Sequence, residues 1–153
     1  MKFIYFLAAS LLLFTSCPEE VIDPFPQNSL FTCEIEGNSF ADNTPTIDIN
    51  GSDMMSIDVS DGTYDISFRI YFFSTRSEGE IIDFSVPAMG MVTVGGVTYS
   101  STYDGPPYDG QFVFTKIESD KISGTFNFKA MDVVVGSFDK VTIVDGVFSN
   151  ITY

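Results

Sequence analysis

From Leu30 to the C-terminus, apolar residues recur at every second position in short runs. That is the period that sends successive side chains to opposite faces of a β-strand. The clearest run is Tyr64–Phe72, where Tyr64, Ile66, Phe68, Ile70 and Phe72 share one parity and Asp65, Ser67, Arg69 and Tyr71 the other. This predicts a sheet with one packed face and one wet face. Leu30–Glu36 leads through a Gly37-Asn38 turn into Ser39-Phe40-Ala41, a predicted hairpin. Met55–Val59 alternates until Asp61-Gly62 breaks it, and Ile81–Val86 is a shorter strand stopped by Pro87. Met91–Val94, Gly95-Gly96 and Val97–Tyr99 read as a second hairpin. Residues 104–110 hold two prolines and two glycines and read as a loop.

Gln111–Thr115 pairs through Glu118-Ser119-Asp120 with Lys121–Ala130, where Ile122, Gly124, Phe126 and Phe128 share a face. Phe112 and Phe114 have one parity and Ile117 the other, which predicts a bulge near Lys116. Val141–Val144, Asp145-Gly146 and Val147–Tyr153 read as a closing hairpin on the strongest short-range turn signal in the chain. No stretch after residue 29 keeps a helical period. Short strands with turns at close, regular spacing predict an all-β fold, a single antiparallel β-sandwich or barrel-like domain over residues 30–153.

The first residues follow another grammar. Met1-Lys2 precedes a mostly apolar run, Phe3–Phe14, and then Thr15-Ser16-Cys17. A positive start, a short apolar stretch and small residues before a cut site make a secretory signal. At ~1.5 Å per residue the run reaches about 18 Å, short of the ~30 Å hydrocarbon core of a bilayer. Phe14-Thr15-Ser16-Cys17 resembles the lipobox of bacterial lipoproteins, with Phe where Leu is commoner. The resemblance implies that residues 1–16 are a lipoprotein signal peptide, that cleavage falls before Cys17, and that Cys17 carries lipid. Stable anchoring needs more than one acyl chain, which a lipoprotein's two or three supply. Residues 17–29, with Pro18, Pro24 and Pro26, then form an extended tether. Glu19 and Glu20 are similar to the acidic surface-export signal of Bacteroidetes lipoproteins; a merely solvated linker accounts for them equally well.

Further along, Lys121–Ala130 followed by Val141–Phe148 is similar to a motif pair of a family of small Bacteroidetes lipoproteins of unknown function. Phe31–Phe40 is similar to that family's opening strand pair. The resemblance implies a lipid anchor and a β-rich domain, and brings no activity or site residues with it.

Composition removes several chemistries. Seven basic against 21 acidic residues give a formal net charge of −14. Such a surface repels nucleic-acid phosphates and offers no polybasic attraction to anionic lipid. Without His there is neither a Ser-His-Asp triad nor a His-ligated zinc site. Cys33 shares parity with Phe31 and Ile35, so a buried structural thiol fits better than a reactive one.

Three candidate sites remain. Asp48, Asn50 and Asp53 have the oxygen-rich spacing of a calcium loop, but Asp53 and Val59 stand where an EF-hand needs Gly and Glu. An irregular calcium site with Asp58 or Asp61 and an ordinary polar turn are the alternatives. Acidic pairs for glycoside hydrolysis occur readily in so acidic a chain, yet there is no Trp for sugar stacking. The loop bearing Tyr99, Tyr103 and Tyr108 is the best contact surface, because Tyr is amphipathic and loses little entropy on binding. End-capping of the sheet by the same tyrosines is the plainer reading.

The expectation is therefore a non-catalytic, cofactor-free envelope lipoprotein at the outer membrane, facing periplasm or cell surface. Its lipid anchor holds it to the membrane, and its loops bind an envelope protein or small ligand. A structural accessory subunit pairing through a sheet edge comes second, and a carboxylate-based hydrolase third.

Overall fold

The computed structural model describes residues 30–85, 87–102, 109–134 and 136–153. Cys17, the signal and the tether lie outside the described residues. Among the described residues eleven strands form: β1 (Leu30–Ile35), β2 (Asn38–Asp42), β3 (Thr46–Asn50), β4 (Met54–Ser60), β5 (Tyr64–Tyr71) and β6 (Ile81–Asp83) come first. They are followed by β7 (Ala88–Val94), β8 (Val97–Ser100), β9 (Gly110–Ile117), β10 (Lys121–Asp132) and β11 (Lys140–Thr152). Among the described residues the only helical turn is a 3-10 turn, Phe73–Thr75. The all-β expectation holds.

All strand pairs are antiparallel, in the order β2-β1-β11-β10-β8-β7-β5-β4-β3. β10 carries β11 along one edge. Along the other it pairs first with β9, at Ile122–Phe128, and then with β8, at Met131 and Asp132. β6 extends the β9 branch. β2 and β3 are at opposite ends of this order, yet residues 43–45 alone join them, a connection that reaches about 14 Å at full extension. The sheet must therefore curl until its ends meet. It does so as a barrel-like sheet, with β2 beside β4 and β3 beside β11.

Phenylalanine fills the inside. Phe31, Phe68, Phe84, Phe112, Phe114, Phe126, Phe128 and Phe148 are buried, each contributing roughly 1.5–3 kcal/mol by burial. Phe68 of β5 meets Phe126 of β10 at 4.8 Å between ring centroids and Phe112 of β9 at 5.5 Å. Phe112 stacks on Phe148 at 4.9 Å. Large rings need small neighbours: Gly146 sits under the Phe126 ring and Gly124 under that of Phe148, so close that a β-carbon on either would overlap the ring. Cys33 lies on the inward face of β1, as its parity predicts, and is buried.

The fold corrects several local expectations. The β1–β2 turn is centred on Glu36-Gly37, both at positive φ (50° and 78°), and Asn38 already pairs with Ile35. That is the two-residue geometry whose twist suits a hairpin. Asp48 and Asn50, read as part of a calcium loop or an ordinary polar turn, stand on the edge strand β3. Phe72 does not continue β5: it turns to a left-handed φ of 60° and is 61% exposed. β6 ends at Asp83 rather than Val86, with Phe84 still buried.

The largest correction concerns Asp145-Gly146, which makes no hairpin. A two-residue hairpin turn of the Asp-Gly type needs positive φ at both residues; Asp145 has it (φ 51°) and Gly146 does not. β11 instead runs straight through, paired with β1 on one side and β10 on the other. Asp145 is the extra residue of a bulge seen from both neighbours. A second bulge at Asn150 (φ 51°) is held by the Ser123 hydroxyl, which accepts the Asn150 N–H at 2.9 Å. The bulge predicted near Lys116 is present: Ser123 opposes Lys116, whereas Gly124 opposes Phe114.

Candidate functional site

Because the barrel interior is packed with rings, the chemistry available to a partner lies on its surface. A groove of about 370 Å³ runs over the outer face of β4 and β5 beneath the 42–46 connection, lined by Asp42, Asp58, Asp65 and neighbouring hydroxyls. Two of these acids are already engaged. Asp42 accepts N–H bonds from Thr44 (2.7 Å) and Ser60 (2.9 Å), and Asp58 accepts a short bond from the Ser67 hydroxyl.

The calcium candidates are similarly occupied. The Asn50 carboxamide oxygen accepts from the Ser52 N–H at 3.0 Å and the Ser52 hydroxyl at 2.7 Å. Asp53 accepts the Ser74 hydroxyl (2.7 Å) and the Ser74 N–H (2.8 Å), bonds that hold its carboxyl below the usual range. Asp61 accepts the N–H groups of Thr63 and Tyr64, each at 2.8 Å. Asp48 sits exposed on the edge strand. Among the described residues no three acidic or Cys side chains converge as a metal site.

The hydrogen bond from Arg76 lowers Glu80, and that from Lys129 lowers Asp109. Cys33 moves the other way: burial, and then the charge of Asp61, push its thiol up to about 12. That favours the inert thiol over the nucleophilic thiolate.

Of the tyrosines singled out, Tyr99 stands on β8 rather than in a loop, opposite Val92 and Asp132, half-buried against the core. Tyr103 and Tyr108 lie outside the described residues. Tyr99 thus packs part of its ring against the core.

What the sequence reading missed is the connection between β10 and β11. Phe138 is 82% exposed there and Val134 62%. The backbone behind them is held in place: the Val133 N–H bonds the Thr98 carbonyl (3.0 Å), and the Asp132 N–H bonds the Asp139 carbonyl (2.9 Å). The Asp132 carboxylate accepts the Val134 N–H at 2.9 Å, and Val134's carbonyl accepts the Ser137 N–H at 3.0 Å. The bond to Thr98 sets this loop beside the β7–β8 turn, where Val97 is partly exposed. The result is a braced loop with an apolar tip. Its signal lay in Val133-Val134-Val135-Gly136-Ser137-Phe138, an apolar run that keeps no strand alternation.

Phe72 forms a second apolar point at the other end of the molecule. Its neighbour Phe73 meets the ring of Tyr153 at 5.4 Å, just past the stretch where Leu30 pairs with Ser149. Phe138 precedes the start of β11, roughly 40 Å away along that 13-residue strand. The two exposed phenylalanines thus mark opposite poles.

Set against models of known families, curated proteins and solved structures, the chain finds no match.

Proposed function

We propose that this chain is a non-catalytic lipoprotein of a Gram-negative envelope, held by lipid on Cys17, that binds an envelope partner through loops at the pole remote from its tether. The observation that carries this reading is the β10–β11 loop. An apolar side chain exposed to water is unremarkable singly, but Val134 and Phe138 are displayed together on a loop fixed by four hydrogen bonds. Loops on a rigid β scaffold are where such proteins carry recognition. A ring-filled interior supports surface binding over capture of a small ligand inside the barrel.

Two measurements test the reading separately. Metabolic labelling with an alkyne fatty acid is expected to mark the wild type and not Cys17→Ser; equal labelling removes the anchor. Cross-linking from a photoreactive residue at Phe138 is expected to trap an envelope protein, and Val134→Ser is expected to reduce the yield without altering the melting temperature. A yield indifferent to that substitution removes the loop.

A further inference from the structure

At the end where the described chain begins, one bulky side chain is held in an unfavourable backbone conformation and turned to water. Phe72 has φ 60° and ψ 43° and is 61% exposed. A left-handed conformation is a genuine outlier for so large a residue, and strain of this kind persists only where the surroundings enforce it. Here they do. The Phe72 carbonyl accepts the Thr75 N–H (3.1 Å) and the Thr75 hydroxyl (2.8 Å), and the Phe73 N–H bonds the Asp53 carbonyl at 3.1 Å. Ser74 is clasped by the Asp53 carboxylate, and Arg76 donates to the Tyr71 carbonyl at 2.8 Å while pairing with Glu80 at 2.6 Å. The Arg76–Glu80 pair closes within the turn, and the Asp53 carboxylate accepts two hydrogen bonds there. Tyr71 beside it is also partly exposed.

The pole matters as much as the turn. Phe73 packs on Tyr153, and Leu30 pairs with Ser149 four residues before that terminus, so the chain enters the domain at Phe72's end. Residues 17–29, at ~3.1 Å each as an extended Pro-rich linker, reach about 40 Å. A domain held to a bilayer through Cys17 therefore has this end within reach of it.

We propose that Phe72, with Tyr71, seats in the headgroup region of the bilayer and sets the domain upright, with the Phe138 loop pointing away. The inference rests on the anchored reading above. Aromatic side chains favour the membrane–water interface, and a lone lipid tether leaves orientation unset unless a second contact fixes it. The occupant is lipid with no net charge, because a chain of net charge −14 gains nothing from anionic headgroups.

The absence of Trp from the chain makes the test direct, since Phe72→Trp, Tyr71→Trp and Phe138→Trp each introduce a sole indole. The full processed chain, its lipid mass first checked by mass spectrometry, is placed in phosphatidylcholine vesicles with or without brominated acyl chains. Phe72→Trp is expected to show blue-shifted emission and roughly twofold quenching by the brominated lipid, as an interfacial aromatic does, and Phe138→Trp neither. Tyr71→Trp reports on the same turn if Phe72→Trp disturbs it. Water-like, unquenched emission from both Phe72→Trp and Tyr71→Trp overturns the proposal, as does equal quenching at Phe138→Trp. A blue shift of Phe72→Trp that follows protein concentration without vesicles overturns it in favour of contact between copies. A chain lacking lipid mass defeats the anchor instead, a separate result from any of these.

Discussion

At Gly124 a methyl group has nowhere to go. A β-carbon there would lie 2.2 Å from the Phe148 ring and 2.2 Å from the Val113 carbonyl oxygen, and the second of these is backbone that cannot swing aside. Gly124→Ala is expected to cost about 1–3 kcal/mol or more, the usual range for overfilling a packed core. Gly51→Ala, with nothing within 4 Å of its β-carbon, is the control expected to stay near neutral in urea unfolding. Cys33 makes a prediction of a different kind. Its thiol, raised to about 12 by burial, stays protonated in the fold, while in the unfolded chain it ionises near its ordinary value of 9.0. Between those two pH values the unfolded state binds fewer protons than the native one, so this group's contribution to stability falls as pH rises. A Cys33→Ala variant is expected to lose less stability between pH 9 and pH 11 than the wild type. The native wild type is also expected to react with Ellman's reagent only after denaturant is added.

At the scale of elements, β11 is the strand on which sequence and structure diverge most, and the reason lies in one dihedral. Asp145 carries the left-handed turn alone, a conformation Asp tolerates and a β-branched residue does not. Asp145→Val is expected to lose roughly 1–2 kcal/mol by the cost of that conformation, and Asp145→Gly to lose none; a denaturation series across the three proteins checks it. The alternation that made Tyr64–Tyr71 and Lys121–Ala130 legible works because one face of each is fully buried. β3 is an edge strand with no buried residue, so Asp48 and Asn50 speak louder than Ile47 and Ile49, and the stretch passes for a ligand loop. Asp145-Gly146 carries the same letters whether it ends a strand or bulges it. What decides is the Phe126 ring beneath Gly146, a partner some twenty residues earlier in the chain that no local pattern reveals. The Phe138 loop was illegible for a related reason: exposure is a property of what fails to cover a side chain. Tyr99 shows the converse, a residue fit for recognition that the β8 register turns toward the core.

For the whole molecule, the consequential feature is how the curled sheet closes. β2 and β3 end the strand order without forming a ladder with each other, so the barrel has a seam. Open edges invite pairing between copies, and this chain blunts its own with Pro45 ahead of β3, Asp48 upon it, and a large net negative charge. Asp42 does the joining. The residue is 9% exposed, and its carboxylate accepts the Thr44 N–H at 2.7 Å, the Thr44 hydroxyl at 3.0 Å and, across the seam, the Ser60 N–H at 2.9 Å. Truncation to Ala removes one acceptor group from three donors on the exposed residues Thr44 and Ser60, and a hydrogen bond of this kind contributes about 0.5–1.5 kcal/mol net. Asp42→Ala is thus expected to lower stability by that order. It is also expected to speed amide exchange at Thr44, Ser60 and along β2 before β10 and β11 are affected, because those two strands are held by neighbours on both sides. Asp42→Asn keeps an oxygen for only part of this set and is expected to fall between. Uniform acceleration across all strands would mean that Asp42 supports the fold globally rather than fastening its seam.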